Sequence, residues 1–206
     1  MDEIVRQALA RWPDVPHCTG WLMLDARGHW RMRDEADQAA GTHGTPIRHE
    51  TLIGFINRNY ACDEHGQWYF QNGPQRVYVE LEYTPSIMRL ACDAAGALTL
   101  TDQTGQPFAP SAVYVDEAGS VLFASPAEAA EAGANACVAL LHDHDLDVFA
   151  DHASLADDGL SGTFAWRADA VLPLQPIQRA QVPARFGFVS SPAREAANVQ
   201  GQRSIT

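Results

Sequence analysis

The sequence predicts an α+β fold built from antiparallel, hairpin-rich sheets, curled or barrel-like, with two or three short helices. Three observations carry this. Asp-x-x-Gly occurs between strand-forming runs at Asp25 to Gly28, Asp63 to Gly66, Asp93 to Gly96, Asp102 to Gly105 and Asp116 to Gly119. Sixteen Asp and fifteen Gly in 206 residues would supply about one such pair by chance. Residues Arg76 to Tyr83 alternate strictly, with Val77, Val79, Leu81 and Tyr83 on one side and Arg76, Tyr78, Glu80 and Glu82 on the other. Helical spacing is confined to a few short segments, and nothing alternates strand with helix regularly enough for a parallel sheet.

Turn mechanics explain the Asp-x-x-Gly pairs. Asp opening a type I turn accepts hydrogen bonds from the backbone ahead of it, and Gly at the fourth position takes the positive φ the return strand needs. The flanks agree: Trp21 to Leu24 lead into the first turn and His29 to Met32 lead out, while Trp68, Tyr69 and Phe70 follow the second. The fourth pair is the weakest hairpin, because Pro107 interrupts its return strand.

Met1 to Trp12 reads as an amphipathic helix ended by Pro13 and Pro16, and Arg48 to Asn59 as a second behind Pro46. Arg33 to Thr45 reads as an exposed polar loop. Ser125-Pro126-Ala127-Glu128 has the N-cap and first-turn Pro of a third helix, closed by Gly133. Val138 to Leu141 reads as a strand, and Thr163 to Arg167 with Ala170 to Leu174 as the last strand pair. His142 to Asp158 supports either helix or strand. The resulting organisation is a helix and hairpin half over 1–84, a β-rich half over 85–177 and an extended basic tail over 178–206.

Composition narrows the function classes. The formal charge is −12; residues 178–206 carry four Arg against Glu195, so this tail is +3 and the body before it −15. A body this acidic repels phosphate backbones, which argues against nucleic acid as a partner. No apolar run reaches membrane-spanning length, and the first residues lack a basic start and apolar stretch, so a cytoplasmic location is expected and a membrane partner is not. Cys18, Cys62, Cys92 and Cys137 are widely spaced and read as reduced packing residues.

The order of several short motifs is similar to a known family. Cys18-Thr19-Gly20, Gly28-His29-Trp30, Gly44-Thr45-Pro46-Ile47-Arg48 with Leu52-Ile53-Gly54-Phe55, Asp63 to Tyr69, and the Val77 to Glu82 strand with Pro85 resemble the uncharacterised proteobacterial family named domain of unknown function 1285. The resemblance covers about two-thirds of the chain and departs in the longer loop between Trp30 and Pro46 and in the extended tail, a pattern consistent with a sister family. It implies a compact α+β fold in a bacterial cytoplasm and no established activity.

Two sets of residues offer chemistry. His142-Asp143-His144-Asp145, with Asp147, Asp151 and His152, is dense enough in imidazole and carboxylate to hold a divalent metal whose bound water attacks a substrate; His142, His144, Asp147 and His152 are the candidate ligands. The plain alternative is a solvated acidic face. Trp30, Trp68, Tyr69 and Tyr78 belong to an aromatic-rich first half and are candidates to line a ligand groove, against the alternative that they fill the core. Neither a nucleophile elbow nor a Cys/His pair with an activating partner is present. The leading expectation is therefore a non-enzymatic module of the bacterial cytoplasm, binding a small molecule or a protein, without a cofactor. The alternatives are a metal-dependent hydrolase at His142 to His152 and a structural homo-oligomer in which the basic tail lies across a neighbour.

Overall fold

The structure, a computed structural model, describes residues 1–125 and 138–203. It divides into two units: Met1–Asp25, His29–Tyr83 and the chain from Phe188 form the first, and Ala26–Gly28 with Thr84–Gly187 the second. The helix expected after the Ser125 N-cap, closed by Gly133, and Cys137 lie outside the described residues.

The first unit is a six-stranded sheet. In chain order it contains α1 (Glu3–Arg11), β1 (Cys18–Leu24), β2 (Trp30–Met32), α2 (Glu35–Ala40), β3 (Thr45–Pro46), α3 (Glu50–Arg58), β4 (Tyr60–Cys62), β5 (Trp68–Asn72) and β6 (Gln75–Leu81). The strands run β3-β2-β1-β6-β5-β4. Cross-strand partners fix the faces: Leu24 opposes Trp30 and Leu81, Tyr60 opposes Phe70, and Phe70 opposes Val77. These apolar residues form one face, against which Phe55 of α3 packs edge-on to Phe70 at 5.4 Å.

The second unit holds β7 (Ser86–Cys92), β8 (Leu98–Asp102), β9 (Ala112–Asp116), β10 (Val121–Ala124), β11 (Val138–Leu141), α4 (Leu146–His152), β12 (Ala153–Leu155), β13 (Gly162–Arg167), β14 (Ala170–Ile177) and α5 (Val182–Phe186). Its eight strands run β12-β13-β14-β9-β10-β11-β7-β8. Phe123, Phe149 of α4, Phe164 and Trp166 sit in its core, with Phe149 stacked on Phe164 at 5.0 Å.

All five Asp-x-x-Gly segments are tight turns. At Asp63, Asp93, Asp102 and Asp116 one carboxylate oxygen accepts from the backbone N–H groups two and four residues on, at 2.8–3.0 Å. At Asp25 it accepts from His29 N–H at 2.9 Å. The turn glycines have φ between 76° and 86°, which a side chain would strain. Pro107 does shorten the fourth hairpin: its return is a single bridge to Thr101.

The structure departs from the sequence reading in the sheet pairing, the Arg33 to Thr45 loop and the tail, and it resolves His142 to Asp158, which the sequence leaves open. The sheets are open, with β3, β4, β12 and β8 at their edges, and each is mixed, because β1 with β6, β11 with β7 and β14 with β9 pair in parallel. Long intervening segments supply the crossovers such pairs need. The Arg33 to Thr45 loop contains α2, started by a reciprocal cap in which Asp37 N–H donates to Asp34 at 2.8 Å and Asp34 N–H donates to Asp37 at 3.2 Å. His142 to Asp158 is divided among a 3-10 turn at Asp143–Asp145, α4 and β12. The tail is helical: a 3-10 turn at Arg179–Gln181 leads into α5, and α6 spans Pro192–Arg203. Its arginines dock on their own chain, with Arg185 donating to the Tyr114 hydroxyl at 3.0 Å and Arg179 N–H to Glu117 at 2.9 Å.

The position of α6 changes the character of β6. The alternation predicts a half-buried strand, yet Tyr78 and Glu80 on its polar side are as buried as Val79 and Leu81. Leu81 N–H donates to Ser190 O at 2.8 Å, and α6 packs on β6 and β1. The cover arrives from a segment more than a hundred residues downstream.

Candidate functional site

A cleft of about 380 Å³ opens on this covered face of the first unit, lined by Gly20 and Met23 of β1, Arg33, Gln38, Gly41 and Thr42 around α2, Glu80 to Glu82, and Ser190, Ser191, Ala193 and Arg194 at the start of α6. The volume suits a small metabolite.

Local sequence builds each wall. The pairing of β1 with β6 changes register between Cys18 and Leu22, an irregularity of the kind that re-aims side chains beside sites. Gly20 sits inside it with φ 85°, and a Cβ there would stand 2.5 Å from Gln38 Oε1. The positive φ favours glycine there, and a Cβ would also displace the Gln38 amide. Gly44, with φ 73°, closes the loop after α2, where a Cβ would meet Met32 O at 2.2 Å.

Arg33 is the central group. It is 9% exposed, and its guanidinium donates to three carbonyls: Nε to Thr42 O at 2.9 Å, Nη2 to Asp37 O at 3.3 Å and Nη1 to Gly20 O at 3.5 Å. Its ladder N–H donates to Trp21 O. These bonds use one hydrogen on each nitrogen and bring no formal negative charge to the cation. Gln38 adds a second donor, because its Nε2 is buried without a hydrogen-bond partner.

Glu80, 6% exposed, accepts a hydrogen bond on each oxygen. Ser191 donates its hydroxyl to Oε2, and Ala193 N–H donates to Oε1 at 3.0 Å. Ser191 precedes Pro192 and its Oγ accepts from Arg194 N–H at 3.4 Å, so serine and glutamate together cap α6. Glu82 has His43 Nδ1 at 3.8 Å.

The aromatic candidates fall on both faces of the sheet. Trp30 is buried on the α3 side, donating to Asn57 at 2.7 Å and meeting Tyr60 edge-on at 5.0 Å; Trp68 continues that cluster, 4.8 Å from Tyr60. Tyr69 and Tyr78 pair on the opposite face at 5.9 Å, with Arg76 over Tyr69 and the Tyr78 hydroxyl donating to Asp63 at 3.1 Å. Burial pushes both phenol pKa values up. The four are two pairs, and none of them lines the cleft.

The His142 to His152 stretch lies in the second unit, occupied with local structure. His142 is buried, and its Nδ1 lies 3.1 Å from His144 N and 3.0 Å from Asp143 Oδ1. Asp145, also buried, takes two bonds from Arg89 at 2.7 and 2.8 Å and one from Leu90 N–H at 2.9 Å. Burial pushes its carboxyl pKa up, but those bonds outweigh it and hold the pKa below the ordinary value. Asp147 accepts from Val148 N–H, and His152 Nδ1 lies 3.0 Å from Val148 O. Among the described residues no three His, Cys, Asp or Glu are grouped so as to hold a metal ion, and these four form no such group. Among the described residues Cys18, Cys62 and Cys92 form no disulfide.

The comparisons name a family without naming a function. The family model DUF2944, described as "Protein of unknown function (DUF2946)", matches residues 1–193. The chain belongs to this uncharacterised family. No curated protein matches. Among solved structures, a DUF1285 family protein from Silicibacter pomeroyi is similar at TM-score 0.50 and 16% identity, over 85% of this chain and 96% of that one. A DUF1285 family protein from Shewanella baltica matches at TM-score 0.39 and 14% identity, over 64% and 91%. The first likeness extends the resemblance seen in the sequence to the fold, and no specific function is indicated by either family. No helix among the described residues is long and apolar enough to cross a membrane.

The cleft residues Arg33, Gln38 and Ser191 escaped the sequence reading. Their signals were present: Asp34-x-x-Asp37 ahead of Gly41 is a helix-start and helix-stop pattern, and Ser191-Pro192 repeats the N-cap and Pro signature of Ser125-Pro126.

Proposed function

We propose that this protein is a non-enzymatic small-molecule-binding module of the bacterial cytoplasm, with its ligand in the Arg33–Glu80 cleft of the first unit. The observation that carries the reading is Arg33, a buried guanidinium whose hydrogen bonds go to backbone carbonyls inside a cleft of metabolite size. The Asp37 carboxylate acts on this cation through its charge without a hydrogen bond to it; burying a guanidinium with no carboxylate hydrogen-bonded to it is costly, and such costs persist where function needs them. The location rests on composition and on the family resemblance.

A non-catalytic role is supported by how Glu80 is used. Both its oxygens accept hydrogen bonds from the start of α6, so the carboxylate acts as a structural cap. Ser191 makes this cap with Glu80, and no histidine lines the cleft to complete a nucleophile–base–orienter set.

The test is thermal unfolding of the intact protein across a broad metabolite library, repeated with Thr42→Trp, which fills the cleft mouth. Compounds that raise Tm in the wild type and fail to do so in Thr42→Trp support the reading. A library that leaves the wild type unshifted, or stabilises both proteins equally, contradicts it.

A further inference from the structure

We infer that the cleft takes a small monocarboxylate, held by the two remaining N–H groups of Arg33 and by the side-chain amide of Gln38; this rests on the reading of the cleft as the ligand site. The donor count comes first. A guanidinium carries five N–H bonds, and the bonds to Thr42, Gly20 and Asp37 use one on each nitrogen. One N–H is left on Nη1 and one on Nη2, two donors that a carboxylate's two oxygens can accept. Gln38 Nε2, buried and without a partner, supplies a further donor in the same cleft. A polar group left in that condition destabilises the unliganded protein, and an incoming acceptor recovers the loss.

The protein's own carboxylate does not fill this role. Glu80 lines the cleft, but its two oxygens are taken by the Ser191 hydroxyl and the Ala193 N–H. Among the described residues the guanidinium's hydrogen bonds go only to carbonyl oxygens. The Asp37 carboxylate is near enough for its charge to act on Arg33, but its oxygens accept from Thr42 Oγ1 and Asp34 N–H; what Arg33 lacks is an anionic acceptor hydrogen-bonded to it.

Charge and shape choose among anions. Arg33 and Arg194 line the cleft together with Glu80 and Glu82, so two formal positive charges stand against two negative ones. In a lining whose formal charges already balance, a phosphate dianion would add twice the negative excess of a flat monoanion, which favours the monoanion. Glycine at position 20 serves the same geometry: a Cβ there would meet Gln38 Oε1 at 2.5 Å and drive the amide out of place.

The experiment is a side-chain and backbone nitrogen–proton NMR titration of the full chain with acetate, pyruvate and benzoate, with their amides, and with inorganic phosphate, at constant ionic strength. Gln38→Leu is titrated in parallel; it removes a donor without breaking any bond made in the unliganded protein. The expected result is shifts at Arg33 Nε–H, the Gln38 amide and Ala193 N–H, at least one carboxylate binding about tenfold tighter than its amide, and affinity in Gln38→Leu reduced about five- to tenfold. Equal binding of acid and amide at those resonances, or a preference for phosphate, overturns the carboxylate while keeping the cleft as a small-molecule site. Silence at those resonances with every probe, together with a silent metabolite library, defeats both.

Discussion

Two polar regions, one in each unit, look alike in the sequence and differ in what their side chains have left to give. His142 to His152 has the higher density of ligand-type groups, and the structure spends them locally: His142 against His144 N–H and Asp143, Asp145 on Arg89 and Leu90, Asp147 on Val148. The Arg33 cleft contains fewer such groups, yet Arg33 retains two N–H bonds and Gln38 an entire amide donor. Density of chemistry in a sequence is thus a poor guide to a site. Unspent bonding capacity facing a cavity is a better one.

The largest effect tests the spent region. Asp145→Ala removes the acceptor for two Arg89 bonds and one backbone N–H, leaving Leu90 N–H buried and unpaired. The expected loss is about 3 kcal/mol in chemical denaturation; a loss under about 1 kcal/mol would mean these bonds are not structural. Gly44→Ala comes next, at about 2–3 kcal/mol, since the residue holds φ 73° and its Cβ would overlap Met32 O. It should also weaken ligand binding, because this loop supplies the Thr42 carbonyl to Arg33. Glu80→Ala is expected to cost about 1–2 kcal/mol by uncapping α6, read as faster amide exchange in residues 192–198.

The smallest effect is a pH dependence. Burial, and next the Arg89 charge, hold the His142 pKa below the ordinary imidazole value. Its folded pKa therefore lies below its unfolded one, so its contribution to stability is complete above about pH 6.5 and is lost as pH falls through the folded value. Replacing it with Gln should flatten the decline in stability below that pH; an unchanged slope would remove His142 from the account.

How much was legible follows from the range of each interaction. The five hairpins could be read because every determinant lies within five residues: an Asp carboxylate, two backbone N–H groups and a Gly at positive φ. The last strand pair and both N-terminal helices were legible for the same reason. The alternation of Arg76 to Tyr83 gave the two faces of β6 correctly but marked the polar face as solvated. It could not do otherwise, since Ser190 to Arg194, which cover that face, return from far along the chain. The parallel pairings were invisible on the same ground. Trp30, Trp68, Tyr69 and Tyr78 were grouped by composition, while strand alternation separates Trp68 from its neighbour Tyr69 onto opposite faces.

The central claim, that the cleft holds unspent donors for a ligand, is tested most directly by Gln38→Leu. Removing a buried, unpartnered amide should leave the unliganded protein as stable as wild type, or raise its Tm, while the Tm increase produced by a bound carboxylate shrinks. A variant that is destabilised without ligand, yet responds to the carboxylate as fully as wild type, would show that Gln38 serves the fold and that the claim is wrong.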